Sequence, residues 1–85
     1  MRLKEGIVIS ENDEGYLLVD TGDGDQQGTL KLDNTEVFIV NQLKKENDME
    51  GLIRAVRIKY EADEKSTARI VKDFVTKLTS LGLIR

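Results

Sequence analysis

The spacing of apolar residues changes about one third of the way along this chain of 85 residues, and that change constrains the fold most. Up to residue 32 the apolar residues form three short runs, at 6–10, 16–20 and 27–32, separated by segments rich in Gly, Asp and Glu. From residue 34 onward they recur three or four positions apart. Short bounded runs are typical of strands, and the later spacing is typical of amphipathic helices. We therefore predict one α+β domain spanning residues 1–85, in which a three-stranded antiparallel sheet precedes three α-helices.

The polar segments between the three runs indicate how the strands connect. The turn between the first two runs ends in Gly15, which can take a positive φ, so these runs predict a hairpin. In the third run Leu30 and Leu32 alternate with polar residues, as in a half-buried strand. A sheet of three strands has two edges, and the unpaired N–H and C=O groups of an edge strand can bind an extended peptide. We predict that the third strand, which directly precedes the helices, is the acceptor edge.

The first two helices begin at recognisable capping signals. Asp33 and Glu36 have the spacing of a capping box, which favours a helix over the strand that residues 37–40 alone would also allow. A similar signal at residues 47–50 predicts the start of the second helix. The predicted apolar stripes of these helices are Val37, Val40 and Leu43, and then Leu52, Ile53, Val56 and Tyr60.

The third helix is predicted to begin at Ser66 or Thr67, either of which can cap it, and to end before Gly82. Its apolar stripe consists of Val71, Phe74, Val75, Leu78 and Leu81. Ile70 falls beside this stripe. One interpretation is a solvated helix with a single wide apolar face. The other is a groove along the helix flank, with an apolar floor and a basic rim, beside the edge strand.

The composition excludes most catalytic chemistry. The chain contains no Cys and no His, so it lacks thiolate and imidazole ligands, cysteine nucleophiles and the usual acid–base group at neutral pH. Residues 23–34 share some positions with a calcium loop, but Gln27 and Asn34 stand where such loops carry Asp or Asn and a bidentate Glu. We therefore predict a protein that is not an enzyme and that has no metal and no cofactor.

The charge pattern bears on possible partners. The chain carries 13 basic and 16 acidic residues, a net charge of -3, which is unfavourable for binding nucleic acid. The charge is segregated, because the segment 66–85 contains Arg69, Lys72, Lys77 and Arg85 against the single acid Asp73. No apolar run is long enough to span a membrane, and no signal peptide opens the chain. We expect a cytoplasmic protein with neither nucleic-acid nor membrane partners.

Several of these segments together resemble the PqqD family and, more broadly, the RiPP recognition elements, which serve the maturation of ribosomally made peptides. The family pattern has a hairpin that ends near V-D, here residues 19–20, and a strand that closes in L-N-x-T, here residues 32–35. A second helix ends in Tyr60, and residues 73–84 match D-[VF]-x-x-x-L-x-x-x-G-L-[IL]. The resemblance runs from about residue 6 to residue 84 and applies equally to the freestanding recognition proteins of lasso-peptide pathways. Asp33 stands where the family commonly has Asn.

The resemblance implies a winged-helix-like, non-catalytic domain that binds the leader segment of a precursor peptide as an added strand. It implies further that the domain presents this peptide to a modifying enzyme, such as a radical SAM maturase, a cyclase or a leader protease. Transferred by position, the peptide-binding residues would be Thr29, Leu30, Lys31 and Leu32 on the strand, and Arg69, Ile70, Asp73, Phe74 and Lys77 on the helix.

Two other interpretations stay open at this point. A winged-helix DNA-binding domain also combines a sheet with three helices, although the net charge of -3 and the position of the strands before the helices argue against it. A purely structural subunit would bind a neighbouring enzyme without any leader peptide.

Overall fold

The computed structural model describes residues 1–21 and 29–85, with Thr29 described by its backbone alone. The elements are β1 (Ile7–Asn12), β2 (Gly15–Asp20), β3 (Thr29–Leu32), α1 (Asn34–Gln42), α2 (Met49–Tyr60) and α3 (Glu64–Ser80). The predicted α+β order of three strands followed by three helices is therefore confirmed. Three features of the sequence therefore fall wholly or partly outside the described residues. They are the Gly- and Asp-rich turn after residue 20, the part of the calcium-like segment before residue 29, and the first residues of the predicted third strand.

The three strands form one antiparallel sheet in the order β1-β2-β3, so β3 lies at one edge and β1 at the other. The β1–β2 turn is shorter than the sequence suggested, because Glu11 pairs with Tyr16 and Asn12 pairs with Gly15. Gly15 has a φ of 128°, a conformation that favours glycine. The Asn12 side chain accepts a hydrogen bond of 2.8 Å from the backbone N–H of Glu14, which stabilises the turn.

One face of the sheet packs against the helices. Leu18 pairs with Leu30, and Tyr16 pairs with Leu32, so these four side chains lie on the same face. Leu18 and Leu32 are buried, whereas Leu30 and Tyr16 are half-buried. The buried apolar residues form a single cluster: Leu3, Leu18, Leu32, Ile39, Val40, Leu43, Leu52, Val56, Val71, Phe74, Val75, Leu78 and Leu83.

The helix starts agree with the sequence in two cases and differ in one. The Asp33 cap of α1 and the start signal of α2, where Asp48 is the cap, are confirmed. For α3 the predicted cap at Ser66 or Thr67 is wrong: the helix begins at Glu64, and Asp63 is its cap. The carboxylate of Asp63 accepts the N–H of Ser66, so an acid takes the capping role three residues earlier.

The end of α3 also differs from the predicted apolar stripe. Val71, Phe74, Val75 and Leu78 are buried as expected, but Leu81 is 55% exposed. The helix ends at Ser80, and the chain reverses at Gly82, whose φ is 76°. Leu83 therefore occupies the buried position after the helix instead of Leu81.

The two end segments of the chain lie side by side, and each contributes a buried residue to the core, Leu3 and Leu83. Leu3 and Ile84 form an antiparallel bridge, and the N–H of Lys4 donates to the carbonyl of Leu83 at 2.9 Å. The Lys4 ammonium also lies 2.8 Å from the carboxylate of Asp20, which is buried at the end of β2. No helix in the described ranges is both long enough and apolar enough to cross a membrane.

Candidate functional site

A groove runs along the flank of α3 that faces the first turn of α1. Its volume is about 280 Å³. It is lined by Asp33, Thr35, Glu36, Ile70, Asp73, Phe74 and Lys77. Asp33 directly follows the last residue of β3, so this edge strand of the sheet ends at the groove. We call the surface formed by these seven residues the α1/α3 groove.

The α1 wall of the groove is fixed by local hydrogen bonds. The Asp33 carboxylate accepts the N–H of Glu36, and the Glu36 carboxylate accepts the N–H of Asp33, both at 2.8 Å. This reciprocal pair satisfies two backbone donors that the first turn of a helix leaves free. From α2, the Tyr60 hydroxyl lies 3.4 Å from the carbonyl oxygen of Asn34, to which it donates. The Tyr60 ring packs edge-on against Phe38, with 6.0 Å between the ring centroids, and so ties α2 to α1.

The α3 wall supplies an apolar surface. Ile70 and Phe74 lie one helical turn apart and therefore on the same flank. Ile70 is 51% exposed, whereas Phe74 is only 4% exposed. Phe74 thus belongs to the core and offers the groove only a small part of its ring, while Ile70 offers most of the apolar area that a ligand can cover. Burial of such a side chain is the main source of affinity in small grooves.

The groove is more acidic than the sequence suggested. Its lining has three carboxylates, on Asp33, Glu36 and Asp73, against the one ammonium of Lys77. The predicted basic rim is therefore wrong for this groove. Asp73 and Lys77 are one turn apart on α3, yet within the described residues they form no ion pair with each other or with any other group. Both charges are available to a ligand. The carboxylate of Asp73 favours a cationic ligand group, and the ammonium of Lys77 favours an anionic one at the neighbouring position.

Arg69 does not line the α1/α3 groove. It borders a shallow depression on the outer side of α3, together with Glu64, Lys65, Ala68 and Lys72. Consecutive residues of an α-helix are rotated by about 100°, so Arg69 points away from Ile70 although it precedes it in sequence. Of the five helix residues singled out from the sequence, the groove brings together Ile70, Asp73, Phe74 and Lys77 and leaves out Arg69.

Of the strand residues singled out from the sequence, Leu30, Lys31 and Leu32 lie on the edge strand that ends at this groove, but they are not among its lining residues. Leu32 is buried and Leu30 is half-buried on the core face, while Lys31 is exposed on the other face. Because successive residues of a strand alternate the direction of their backbone N–H and C=O groups, β3 directs half of these groups toward its free edge. For a ligand at this edge, β3 therefore offers mainly backbone hydrogen bonds.

Three groove residues were not among the site residues predicted from the sequence: Asp33, Thr35 and Glu36. The signal was present, because the capping box places these residues in the first helical turn, directly after the edge strand. The capping box predicts where α1 begins, but it does not indicate that the first turn of α1 also faces α3. Among the residues that the structure describes, no group of three or more acidic side chains is arranged to hold a metal ion.

Comparison with known proteins identifies the fold. No family model matches the chain, and no curated protein matches it. Two solved structures do share the fold. One is a lasso peptide synthetase B1 complexed with the leader peptide, at a TM-score of 0.71 and 24% identity, covering 96% of this chain and 93% of the other. The second is TbiB1 in complex with the TbiA(beta) leader peptide, at a TM-score of 0.76 and 21% identity, covering 100% of this chain and 95% of the other.

Proposed function

We propose that this chain is a RiPP recognition element that binds the leader segment of a ribosomally made precursor peptide. The leader adds as a fourth strand to the free edge of β3, and its side chains enter the α1/α3 groove. The protein performs no chemistry itself and needs no cofactor. It holds the precursor in the cytoplasm for a modifying enzyme, such as a radical SAM maturase, a cyclase or a leader protease.

One observation carries this proposal: β3, an edge strand of the sheet, ends directly at a groove with an exposed aliphatic side chain. An edge strand binds an extended peptide through backbone hydrogen bonds, and pockets beside it select alternate side chains. Ile70 provides the apolar contact, and the buried ring of Phe74 holds the floor in place. The two leader-peptide complexes that share the fold support the same kind of ligand.

The charges in the groove suggest the pattern of the leader. Lys77 is the cation in the lining, so an acidic leader residue pairs with it. Asp73 lies one turn earlier and favours a basic or polar leader residue at the neighbouring position. An apolar leader side chain covers Ile70. Complementary charges at such a site contribute more to the choice of partner than to raw affinity.

Replacement of Ile70 tests the groove. The probe is a fluorescein-labelled leader peptide from the precursor gene next to the gene for this chain. We expect Ile70→Asp to weaken its binding by about tenfold or more, because the apolar contact is lost and the new carboxylate is desolvated. Fluorescence anisotropy measures the Kd. Ile58→Asp is the matched control, because Ile58 is 73% exposed on α2 and does not line the α1/α3 groove.

The control should bind the leader within about twofold of the unsubstituted chain. Equal binding by Ile70→Asp and the unsubstituted chain would overturn the assignment of the groove, and so would equal losses in both variants.

A further inference from the structure

A second groove lies on the other flank of α3, between α3 and α2. Its volume is about 360 Å³, and its floor includes Ile53 of α2 and Ala68 of α3, both half-buried. It continues outward into the shallow depression that contains Lys65 and Arg69. We call this continuous surface the α2/α3 face. It shares α3 with the α1/α3 groove but has no lining residue in common with it.

The α2/α3 face is strongly basic. Its cations are Arg54, Arg57, Lys65, Arg69 and Lys72, and its carboxylates are Glu50 and Glu64. The guanidinium of Arg57 and the carboxylate of Glu64 form an ion pair, with 3.5 Å between Nη1 and Oε1, and neutralise each other. Within the described residues, the other four cations form no ion pair. On a chain whose net charge is -3, such a concentration of unpaired cations on one face favours an anionic partner there.

The same face favours an acidic protein segment over nucleic acid. A nucleic-acid site takes most of its affinity from the neutralisation of phosphates. The half-buried floor of Ile53 and Ala68 provides an apolar contact that a phosphate backbone does not use. A protein segment that combines several acids with an aliphatic side chain would complement both features.

We infer that the α2/α3 face is a docking surface for an acidic segment of the enzyme that modifies the bound peptide. The choice of this partner rests on the proposed function, whereas the surface itself rests on the charges and the apolar floor described above. Because α3 separates the two grooves, the leader and the enzyme occupy opposite flanks of one helix at the same time. The enzyme is thereby held close to the peptide without competing for its groove.

A double charge reversal tests this docking surface. Arg54→Glu with Lys72→Glu removes two unpaired cations, and Lys44→Glu with Lys45→Glu is the matched control, because these exposed lysines follow α1 and lie outside the α2/α3 face. Both variants are checked by far-UV circular dichroism. Binding of the purified modifying enzyme encoded beside this chain is measured by biolayer interferometry, with and without saturating leader peptide. Binding of the labelled leader is measured separately by anisotropy.

We expect the reversal at Arg54 and Lys72 to weaken enzyme binding by about tenfold or more and to leave the Kd for the leader within about twofold. The control should bind the enzyme like the unsubstituted chain. For the unsubstituted chain, enzyme binding should weaken as NaCl rises from about 50 to about 300 mM. This salt dependence requires no variant and so does not depend on how the variants fold.

The inference would be overturned if the unsubstituted chain did not bind the enzyme, or if both double variants lost enzyme binding equally. Loss of leader binding in the Arg54 and Lys72 variant would also overturn it. So would displacement of the enzyme by a short DNA duplex. The last would assign the face to nucleic acid. If the unsubstituted chain binds the enzyme through this face but binds no leader, the proposed function fails while the docking surface stands.

Discussion

Asp63 shows how one exposed carboxylate defines the start of α3. Its Oδ1 accepts the N–H of Ser66 at 3.1 Å. This hydrogen bond, followed in importance by one with the Ser66 side chain, lowers the pKa of Asp63 below its ordinary value of 3.8. Folding therefore favours the ionised form. The charge also complements the positive end of the helix dipole.

The lowered pKa predicts a specific pH dependence. Because the folded pKa lies below the unfolded value, the capping carboxylate stabilises the fold above pH 3.8, and this contribution is lost as the pH falls through the folded pKa. Asp63→Asn keeps a capping oxygen but cannot ionise. We expect the unsubstituted chain to have the higher Tm near about pH 6, and we expect the difference in Tm to shrink as the pH falls below 3.8 through the folded pKa.

Thermal unfolding followed by circular dichroism at a series of pH values measures this difference. A difference in Tm that stays constant across the series would show that ionisation of Asp63 does not contribute to stability.

At the same scale, Ile70 and Phe74 show what a residue's sequence context can and cannot predict. Both were predicted to contact a peptide. Phe74 also belongs to the apolar stripe of α3, and stripe membership explains why it is 4% exposed and contributes mainly to the core. Ile70 lies beside the stripe, and its 51% exposure is consistent with that offset. The sequence could not show how much of the Phe74 ring would remain at the groove, because that depends on how closely α1 approaches.

At the scale of the elements, the end of α3 is closed by a Schellman motif. The N–H of Gly82 donates to the carbonyl of Thr79, and the N–H of Leu83 donates to the carbonyl of Leu78, both at 3.0 Å. Gly82 has a φ of 76°, which reverses the chain. Leu78 and Leu83 are both buried, as the hydrophobic contact of this motif requires. The motif therefore couples the end of the helix to the core.

Substitution of Gly82 should weaken this coupling. In Gly82→Ala the Cβ disfavours the left-handed conformation, and we expect a loss of about 1 to 2 kcal/mol in the free energy of unfolding. Urea denaturation measures the loss. Gly82→Asn is the control, since Asn tolerates this conformation better than Ala does, and it should retain more of the stability. Equal stability of Gly82→Ala and the unsubstituted chain would contradict the role of the positive φ.

The boundaries of the elements were predictable wherever a local pair of residues encodes them. The capping box of Asp33 and Glu36 was correctly predicted, because both hydrogen bonds lie within four residues of the chain. The start of α3 was not. The joint between α2 and α3 contains three acids, at residues 61, 63 and 64, and the sequence does not show which of them is the cap. Which acid caps α3 depends on where α2 ends. Glu61 ends α2 in a left-handed conformation with a φ of 50°, and residues other than glycine rarely adopt this conformation.

At the scale of the whole molecule, the direction of each charge on α3 decides which surface it serves. The sequence indicated that this segment is basic, and four of the five helix residues transferred from the resemblance lie on one flank: Ile70, Asp73, Phe74 and Lys77. It could not indicate that Arg69 would lie on the outer side of the helix, because that depends on the rotation of α3 about its axis. The packing of the core side chains against α1 and α2 sets this rotation, and it is not encoded locally.

The two edges of the sheet provide an internal comparison for the central claim. β3 leads into the α1/α3 groove, whereas β1, at the other edge, does not. If a peptide bound any free edge through its backbone alone, both strands would respond to it. If the groove selects the edge, only β3 and the residues that line the groove would respond.

Titration of the isotope-labelled chain with the leader peptide, followed by two-dimensional NMR of the backbone amides, tests this claim most directly. We predict that chemical-shift changes concentrate on Thr29–Leu32, on residues 33–36 and on residues 70–77, and that Ile7–Asn12 change little. Changes centred on β1 or on the α2/α3 face, or no saturable change at all, would contradict the account.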